Sequence, residues 1–291
     1  MQLINRQLRA LAAVIETGNF DRAAQRLNIS QSAVSQRIKQ LEQQSGHTLL
    51  LRGNPPVPTE LGKRLMSFYR QAELLESEMF GAHSNRSHNL TIGINADSLG
   101  TWFIPAMAEF VKQNQVLLDL KVDDQDETLE LLRKGDVIGS ISSHKEPISG
   151  CDSFHLGDMV YYSVCTEEFK QTYFPNGPSA EHFIDAPALH FGPKDKLQEN
   201  YLAEHFQLKV AQYRFHQIPS AENYLDFIRR GLAWGLVPEL QCQKYIVRGD
   251  LIKLTPHIPV FVPLYWHTWT VKSNLVREFT QLILNYCAKH W

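Results

Sequence analysis

The stretch 20–49 limits the possible folds of this chain more than any other segment. It reads FDRAAQRLNISQSAVSQRIKQLEQQSGHTL. Ser30 is a typical first residue of a helix, because its hydroxyl group accepts a hydrogen bond from an unpaired N–H group in the first turn. An apolar stripe with helical spacing then predicts a helix over 31–44, joined by a tight turn to a helix over 21–28. The residues of the stripe are Val34, Ile38 and Leu41.

The opposite face of the second helix is polar and carries no acid before Glu42. Amide and hydroxyl groups bind base edges in the DNA major groove, and cations bind phosphate. A helical hairpin on any protein surface shows a similar pattern, so that interpretation remains open at this point. The candidate DNA contacts on this helix are Gln31, Ser32, Ala33, Ser35, Gln36, Arg37 and Lys39.

The distribution of charge separates the N-terminal region from the rest of the chain. The net charge of the whole chain is −2. Residues 1–58 hold seven Lys and Arg against three acids, whereas the remainder holds 22 basic and 28 acidic residues. A basic module on an acidic remainder favours a polyanionic partner at the N-terminus only.

The four cysteines form no CxxC pair, which argues against a disulfide framework and against a zinc site. We expect buried, reduced thiols and a cytoplasmic protein without metal or cofactor. No signal peptide and no apolar run long enough for a membrane span are visible, so no membrane partner is expected. The cysteines are Cys151, Cys165, Cys242 and Cys287.

A predicted helix over 3–17 precedes the hairpin, and a short strand over 48–52 follows it. Prolines at 55, 56 and 58 then favour an extended loop. Three helices, a strand and a stiff loop indicate a winged helix–turn–helix domain, which we assign to 1–58. Arg52 at the base of the wing is placed to contact phosphate, or else forms an ordinary surface salt bridge.

A helix of about 22 residues is predicted over 59–80, with Thr59 at its start. Its apolar residues alternate at intervals of four and three, the spacing of a coiled-coil seam. This pattern favours a dimer, although packing against its own domain is the alternative. We assign 59–89 to the linker helix and a polar hinge. The seam residues are Leu61, Leu65, Phe68, Ala72, Leu75 and Met79.

Strands and helices alternate from residue 90 onward, which predicts an α/β domain over 90–291 with parallel strands. Two lobes are expected, lobe I over about 90–162 and 264–291 and lobe II over about 163–263. A cleft between such lobes binds small ligands at the carboxyl ends of strands. The predicted strands are 90–95, 117–122, 137–142, 159–165, 187–191, 213–218, 251–254 and 264–271, with another short one within 231–238. The predicted helices are 99–113, 127–134, 179–183, 197–206, 221–230 and 275–289.

This order of parts resembles the LysR-type transcriptional regulators over essentially the whole chain. The segment AAQRLNISQSAVSQRIKQLEQQSGHTLLLR (23–52) is the most specific part of the resemblance. The motifs INADSLGTWFIPAM (94–107), VDDQDET (122–128) and LYWH (264–267) look like the ArgP/LysG subgroup, also called IciA. The resemblance implies a winged helix–turn–helix, a long linker helix and a two-lobed periplasmic-binding-protein-like effector domain.

The resemblance also implies partners. They are double-stranded DNA, RNA polymerase and a second copy of the chain, as a dimer or a tetramer associated with the bacterial nucleoid. The subgroup senses lysine and arginine and controls an exporter of basic amino acids. The effector is thus expected to be L-lysine or L-arginine, and the sequence does not say which one activates.

Candidate effector contacts lie where predicted strands end. The segment 95–98 opens a helix, whose free N–H groups suit a carboxylate, and the acids at 97, 123 and 124 suit the amino groups of a basic amino acid. Alternatively, Asp97 caps its helix, and 123–126 form a solvated turn. Trp102 is expected to pack rather than to stack on ligand. The candidates are Asn95, Asp97, Ser98, Asp124, Ser142, His190 and Ser220.

The sequence also bears on four other functions. An enzyme is disfavoured because the chain contains no HExxH, GxSxG, GxGxxG or CxxC motif. A solute-binding receptor shares the lobes but needs export and has no DNA-binding module. A replication-origin or nucleoid role, or a LysR-type regulator with another effector, remains open from the sequence.

Overall fold

The computed structural model describes residues 4–51, 53–80, 89–123 and 125–291, and leaves aside the side chains of 74, 77–80 and 125–127. Arg52, Asp124 and the side chain of Met79 lie outside this description, as does most of the predicted hinge.

Three helices form the N-terminal module: α1 (Arg6–Thr17), α2 (Phe20–Leu27) and α3 (Gln31–Ser45). The predicted cap of α3 is confirmed, since Ser30 Oγ accepts a hydrogen bond from Ala33 N–H at 3.2 Å. The predicted stripe of α3 is confirmed as well, because its buried residues are Val34, Ile38 and Leu41. The stripe packs with α1 and α2 into one apolar core.

The wing contains one strand more than the sequence predicted. Strands β1 (Leu50–Leu51) and β2 (Val57–Pro58) pair in antiparallel orientation. We expected only an extended loop over the prolines. Proline is tolerated in such a two-stranded edge, where it need not donate a backbone hydrogen bond.

The long helix α4 (Glu60–Phe80) follows, and Thr59 caps it by accepting from Gly62 N–H at 3.2 Å. Three residues of the predicted dimer seam contact the core of the N-terminal module, namely Leu61, Leu65 and Ala72. The seam is therefore divided, because part of it packs within its own chain, which was the alternative interpretation. Phe68 of the same seam is 60% exposed.

Helix α4 also contacts the C-terminal part of the chain. Arg70 Nη1 donates to Asp136 Oδ1 at 2.6 Å and to the carbonyl oxygen of Gly135. Gly135 adopts a φ of +73°, and a Cβ atom there would lie 2.2 Å from Ser67 Cα. Only glycine therefore permits this close approach.

The C-terminal part is built on a mixed sheet with the order β10 (Ile252–Lys253), β6 (Cys151–Cys165), β11 (Val260–Trp269), β5 (Gly139–Ser142), β3 (Asn89–Ile94) and β4 (Leu117–Val122), to which β9 (Gly235–Pro238) is added beside β6. Three of its strands, β3 (Asn89–Ile94), β4 (Leu117–Val122) and β5 (Gly139–Ser142), are parallel as predicted. The other strands of this part are β6 (Cys151–Cys165), β7 (Ala188–His190), β8 (Phe215–Gln217), β9 (Gly235–Pro238), β10 (Ile252–Lys253) and β11 (Val260–Trp269).

The helices that cover this sheet agree with most of the predicted ones. Helix α5 (Ala96–Ser98) continues through a π-helical turn (Leu99–Phe103) into α6 (Ile104–Asn114), three residues earlier than expected. Two helices, α8 and α12, were not predicted. The other helices are α7 (Gln125–Lys134), α8 (Glu167–Tyr173), α9 (Ala180–Asp185), α10 (Leu197–Phe206), α11 (Ala221–Arg229), α12 (Glu239–Arg248) and α13 (Asn274–His290).

Strands β6 and β11 run through both expected lobes and are longer than predicted. They pair in antiparallel orientation, with a register shift between Leu264 and Tyr265. Opposite this shift, Gly157 adopts a φ of +137°, which L side chains rarely do. One apolar core contains residues from both expected lobes. The lobe boundaries thus remain predictions.

The four cysteines are free and buried, as expected. Burial raises the pKa of the Cys151 thiol to about 12, so that it stays protonated. Within the described residues, no three His, Cys, Asp or Glu side chains are grouped to hold a metal ion. None of the helices that the structure describes is long and apolar enough to cross a membrane.

Candidate functional site

The exposed face of α3 presents the side chains that the sequence singled out. Gln31, Ser32, Gln36 and Lys39 are exposed, whereas Ala33, Ser35 and Arg37 are half-buried. Ser32 Oγ lies 2.9 Å from Ser30 Oγ, which positions this hydroxyl group at the start of the helix.

The acid at the end of this helix faces the wing. Glu42 Oε1 accepts from Leu49 N–H at 2.8 Å. This contact turns the carboxylate away from the exposed polar face, which therefore stays compatible with a negatively charged ligand. Glu42 also ties α3 to β1, so the helix and the wing keep a fixed relative position.

Several basic residues of the module are held by acids, while others are not. Arg26 lies 2.6 Å from Glu16, and Arg9 lies 2.9 Å from Glu76 of α4. Among the described residues, Arg37 and Lys39 of α3 form no ion pair. The phosphate contacts expected of these two residues stay predictions.

The second candidate site is a cavity of about 600 Å³ at the carboxyl ends of β3 and β4. Its volume falls in the usual range for small-molecule sites. The polar residues that line it come from both expected lobes. Among them are Asn95, Asp97, Asp123, Ser143, Tyr161, Lys194, Asp195, Lys196, Asn200, Tyr224 and Gln241.

One wall of the cavity is the start of the helix that follows β3. Asn95 precedes this helix, but its side chain makes no capping hydrogen bond, so the N–H groups of the first turn keep their partial positive charge. Asn95 is 6% exposed, and its Oδ1 has no partner among the described residues. An unpaired buried oxygen at the wall of a cavity indicates a missing hydrogen-bond donor.

Asp97 lies in the first turn of the same helix. Its Oδ2 accepts a hydrogen bond from the hydroxyl group of Tyr161 at 2.6 Å, across 64 positions of sequence. Burial raises the pKa of the Asp97 carboxyl group to about 6, the hydrogen bond from Tyr161 lowers it, and the charge of Asp195 raises it. Its carboxyl group is therefore harder to ionise than that of a solvated aspartate.

Four other predicted effector contacts do not line the cavity. Ser98 is fully buried. Ser142 Oγ accepts from His144 N–H at 3.1 Å. His190 Nε2 lies 3.1 Å from the Tyr213 hydroxyl oxygen, and burial lowers the pKa of His190. Ser220 Oγ accepts from Asn223, as the cap of α11.

The sequence reasoning named Asn95, Asp97 and Asp123 among the polar lining residues and missed the others, including Tyr161, Asp195 and Tyr224. Tyr161 lies on β6, Asp195 precedes α10, and Tyr224 lies on α11. An acid just before a predicted helix was the available signal for Asp195, but it equally indicates a cap. Indeed, Asp195 Oδ1 accepts from Leu197 N–H at 2.9 Å.

Comparison with known proteins assigns both sites to one family. Residues 5–63 match the family described as bacterial regulatory helix-turn-helix protein, lysR family, and residues 83–288 match the LysR substrate binding domain. The chain belongs to the LysR family. Both parts of the resemblance are thereby confirmed.

Similar proteins narrow the subgroup. The HTH-type transcriptional regulator ArgP of Pseudomonas fluorescens (strain Pf0-1) is 42% identical over 97% of this chain and 96% of its own length. A crystal structure of ArgP from Mycobacterium tuberculosis is 36% identical, with a TM-score of 0.91 over 99% of this chain and 98% of that one. Full-length LysG from Corynebacterium glutamicum with bound effector Arg is 36% identical, with a TM-score of 0.85 over 98% and 99% of the two chains.

This LysR-family chain is therefore a transcription regulator of the ArgP subgroup. LysR-type regulators are not enzymes, which confirms the prediction against catalysis. The N-terminal family match also argues against a solute-binding receptor.

Proposed function

We propose that this regulator binds promoter DNA and responds to L-lysine or L-arginine held in the cavity at 95–97. The observation that carries this proposal is the complementarity of the cavity. It offers the N–H groups of a helix start that the Asn95 side chain does not cap, for an α-carboxylate, and the carboxylates Asp97, Asp123 and Asp195 for cationic groups. The LysG neighbour with bound arginine supports the same class of effector.

The side-chain cation is assigned to the carboxylates at the end of β4. Asp123 follows this strand, lines the cavity and is exposed. Asp124, a predicted contact, follows it in the sequence. A strongly hydrated ammonium or guanidinium group loses less hydration free energy at this open end than in the interior.

DNA binding is assigned to α3, with Ser35 and Gln36 directed to base edges, and Arg37, Lys39 and Arg52 directed to phosphate. A homodimer through the exposed face of α4 around Phe68 would place two copies of α3 on paired half-sites. Effector binding then shifts the equilibrium between two arrangements of the dimer or tetramer. The regulated gene is proposed to encode an exporter of basic amino acids, transcribed by RNA polymerase on the bacterial nucleoid.

A ligand-shift melting experiment tests the effector. The full-length protein is heated with each of the twenty amino acids, and with citrulline and norleucine as neutral analogues of arginine and lysine. We expect arginine or lysine to raise the melting temperature, because a ligand at 100 times its Kd adds about 2.7 kcal/mol to the free energy of unfolding.

The neutral analogues are expected to give a smaller shift, because they lack the cation. No shift with either basic amino acid would contradict the assignment to a basic effector. An equal shift of the melting temperature with arginine and with citrulline would show that the protein does not recognise the charge of the side chain.

A further inference from the structure

Two carboxylates lie on different walls of the cavity. Asp97 belongs to the first turn after β3, and Asp195 belongs to the loop between β7 and α10. Both line the same cavity of about 600 Å³. The two residues thus come from the two expected lobes.

Each carboxylate is held by the protein through one oxygen atom. The Tyr161 hydroxyl group donates to Asp97 Oδ2 at 2.6 Å. The N–H group of Leu197 donates to Asp195 Oδ1 at 2.9 Å. A carboxylate has two oxygens that accept hydrogen bonds, so each group combines a fixed orientation with capacity to bind a ligand.

The two charges are close enough to influence the same groups. The charge of Asp195 raises the pKa of Asp97, after burial as the main cause. Both carboxylates also raise the pKa of the Tyr161 and Tyr224 hydroxyl groups, again after burial. Two like charges around one cavity repel each other until a cation lies between them.

Two lysines also line the cavity. Lys196 lies 2.7 Å from Glu199 on the same helix turn, where it is exposed. Lys194 also lines the cavity and is exposed.

We propose that Asp97 and Asp195 together bind the α-ammonium group of the amino-acid effector, so that one cation joins both walls of the cavity. This inference rests on the proposed function. The α-carboxylate at the free N–H groups of 96–98 and the α-ammonium group share one carbon atom, which places the ammonium group beside Asp97. An ammonium group has three N–H donors, enough for two carboxylates.

The assignment gives the two ends of the effector separate roles. The α-ammonium group, which lysine and arginine share, draws the two walls together. The side-chain cation is left to Asp123 at the open end of β4. Asp195 therefore acts on affinity for any amino acid in the site, without preference between the two side chains.

The test compares the full-length Asp195→Asn variant with wild type and with Asp185→Asn, which changes an exposed acid at the end of α9 outside the cavity. Asparagine also caps helices, so the contact with Leu197 N–H is preserved. Calorimetry measures the Kd for arginine and for lysine. We expect Asp195→Asn to weaken each measurable affinity about tenfold or more and by the same factor, because one charged hydrogen bond is lost. Asp185→Asn is expected to leave the affinities unchanged.

A second measurement uses 5-guanidinopentanoate, which is arginine without its α-ammonium group. We expect it to bind wild type at least tenfold more weakly than arginine, or not at all. Affinity equal to that of arginine would overturn the proposal, as would an unchanged arginine affinity in Asp195→Asn. Losses that differ strongly between lysine and arginine would instead assign Asp195 to the side chain. If wild type binds no basic amino acid, the proposed function itself has failed, and this is visible before any variant is made.

Discussion

Helix α3 and the cavity differ in how their candidate contact residues are distributed along the chain. Helix α3 carries its candidate contacts on one continuous segment, with the buried and exposed faces separated by helical periodicity. The cavity is assembled from segments as distant as Asn95, Asp195 and Tyr224. The residues of a site on one segment can thus be recognised from the sequence. The residues of a site assembled from distant segments are identified only in the folded structure.

The two sites also differ in whether their candidate contact residues contribute to the stability of the fold. The exposed residues of α3 are solvated, and Gln36 is one of them. In the cavity, Asp97 is both a candidate ligand contact and a half-buried carboxylate bonded to Tyr161. Substitutions on the exposed face of α3 should therefore change DNA binding without changing stability, whereas substitutions in the cavity should change both ligand binding and stability.

The largest expected effect comes from the buried face of α3. Ile38 is 4% exposed in the core of the N-terminal module. Ile38→Ala should lower the free energy of unfolding of this module by about 2–5 kcal/mol, because it leaves a cavity in the core. Urea denaturation measures the change, with the exposed Gln40→Ala as control. Equal stability of the two variants would show that α3 does not bury the stripe.

An intermediate effect is expected for Asp97→Asn, with opposite signs for stability and binding. The raised pKa means that ionised Asp97 destabilises the fold. Protonated Asp97 makes its full contribution to the free energy of unfolding below pH 3.8, and this contribution is lost as the pH rises through about 6. The asparagine variant should therefore gain about 1–3 kcal/mol over wild type at pH 7.5 and little at pH 4.

The same variant should lose affinity for arginine at pH 7.5. Wild-type affinity should itself fall as the pH drops through about 6, because Asp97 becomes neutral. Thermal unfolding and calorimetry at both pH values test this pair of effects. A gain in stability that is the same at pH 4 and pH 7.5 would contradict the role of the charge.

The smallest expected effect on the fold comes from the exposed face of α3. Gln36→Ala should leave the free energy of unfolding unchanged and weaken binding to the cognate site by about 1–3 kcal/mol, with little effect on unrelated DNA. Fluorescence anisotropy at several salt concentrations measures both affinities.

Lys39→Ala is the matched control, since a phosphate contact should weaken binding to all sequences and reduce the salt slope by about 1. If Gln36→Ala and Lys39→Ala weaken both DNAs to the same extent, direct readout by Gln36 is wrong.

In the linker helix α4, the sequence pattern identified the apolar face correctly but did not identify the surface that packs against it. The spacing over 59–80 predicted an apolar stripe, and Leu61, Leu65 and Ala72 do pack. Within this chain they pack against the core of the N-terminal module. Periodicity specifies which face is apolar, but the surface that covers this face depends on the surrounding fold.

The sequence alone determined the features that arise within a few residues of each other. Helix caps such as Ser30, the buried and exposed faces of α3, and the parallel order of β3, β4 and β5 follow from local hydrogen bonding, periodicity and chain connectivity. Only the tertiary structure placed Asp195 and Tyr161 beside Asp97 and turned Ser142, His190 and Ser220 to structural contacts. The reason is that Asp97 and Tyr161 lie 64 positions apart in the sequence. Residues so far apart come into contact only through the packing of the whole domain, and a pattern within a short segment contains no information about that packing.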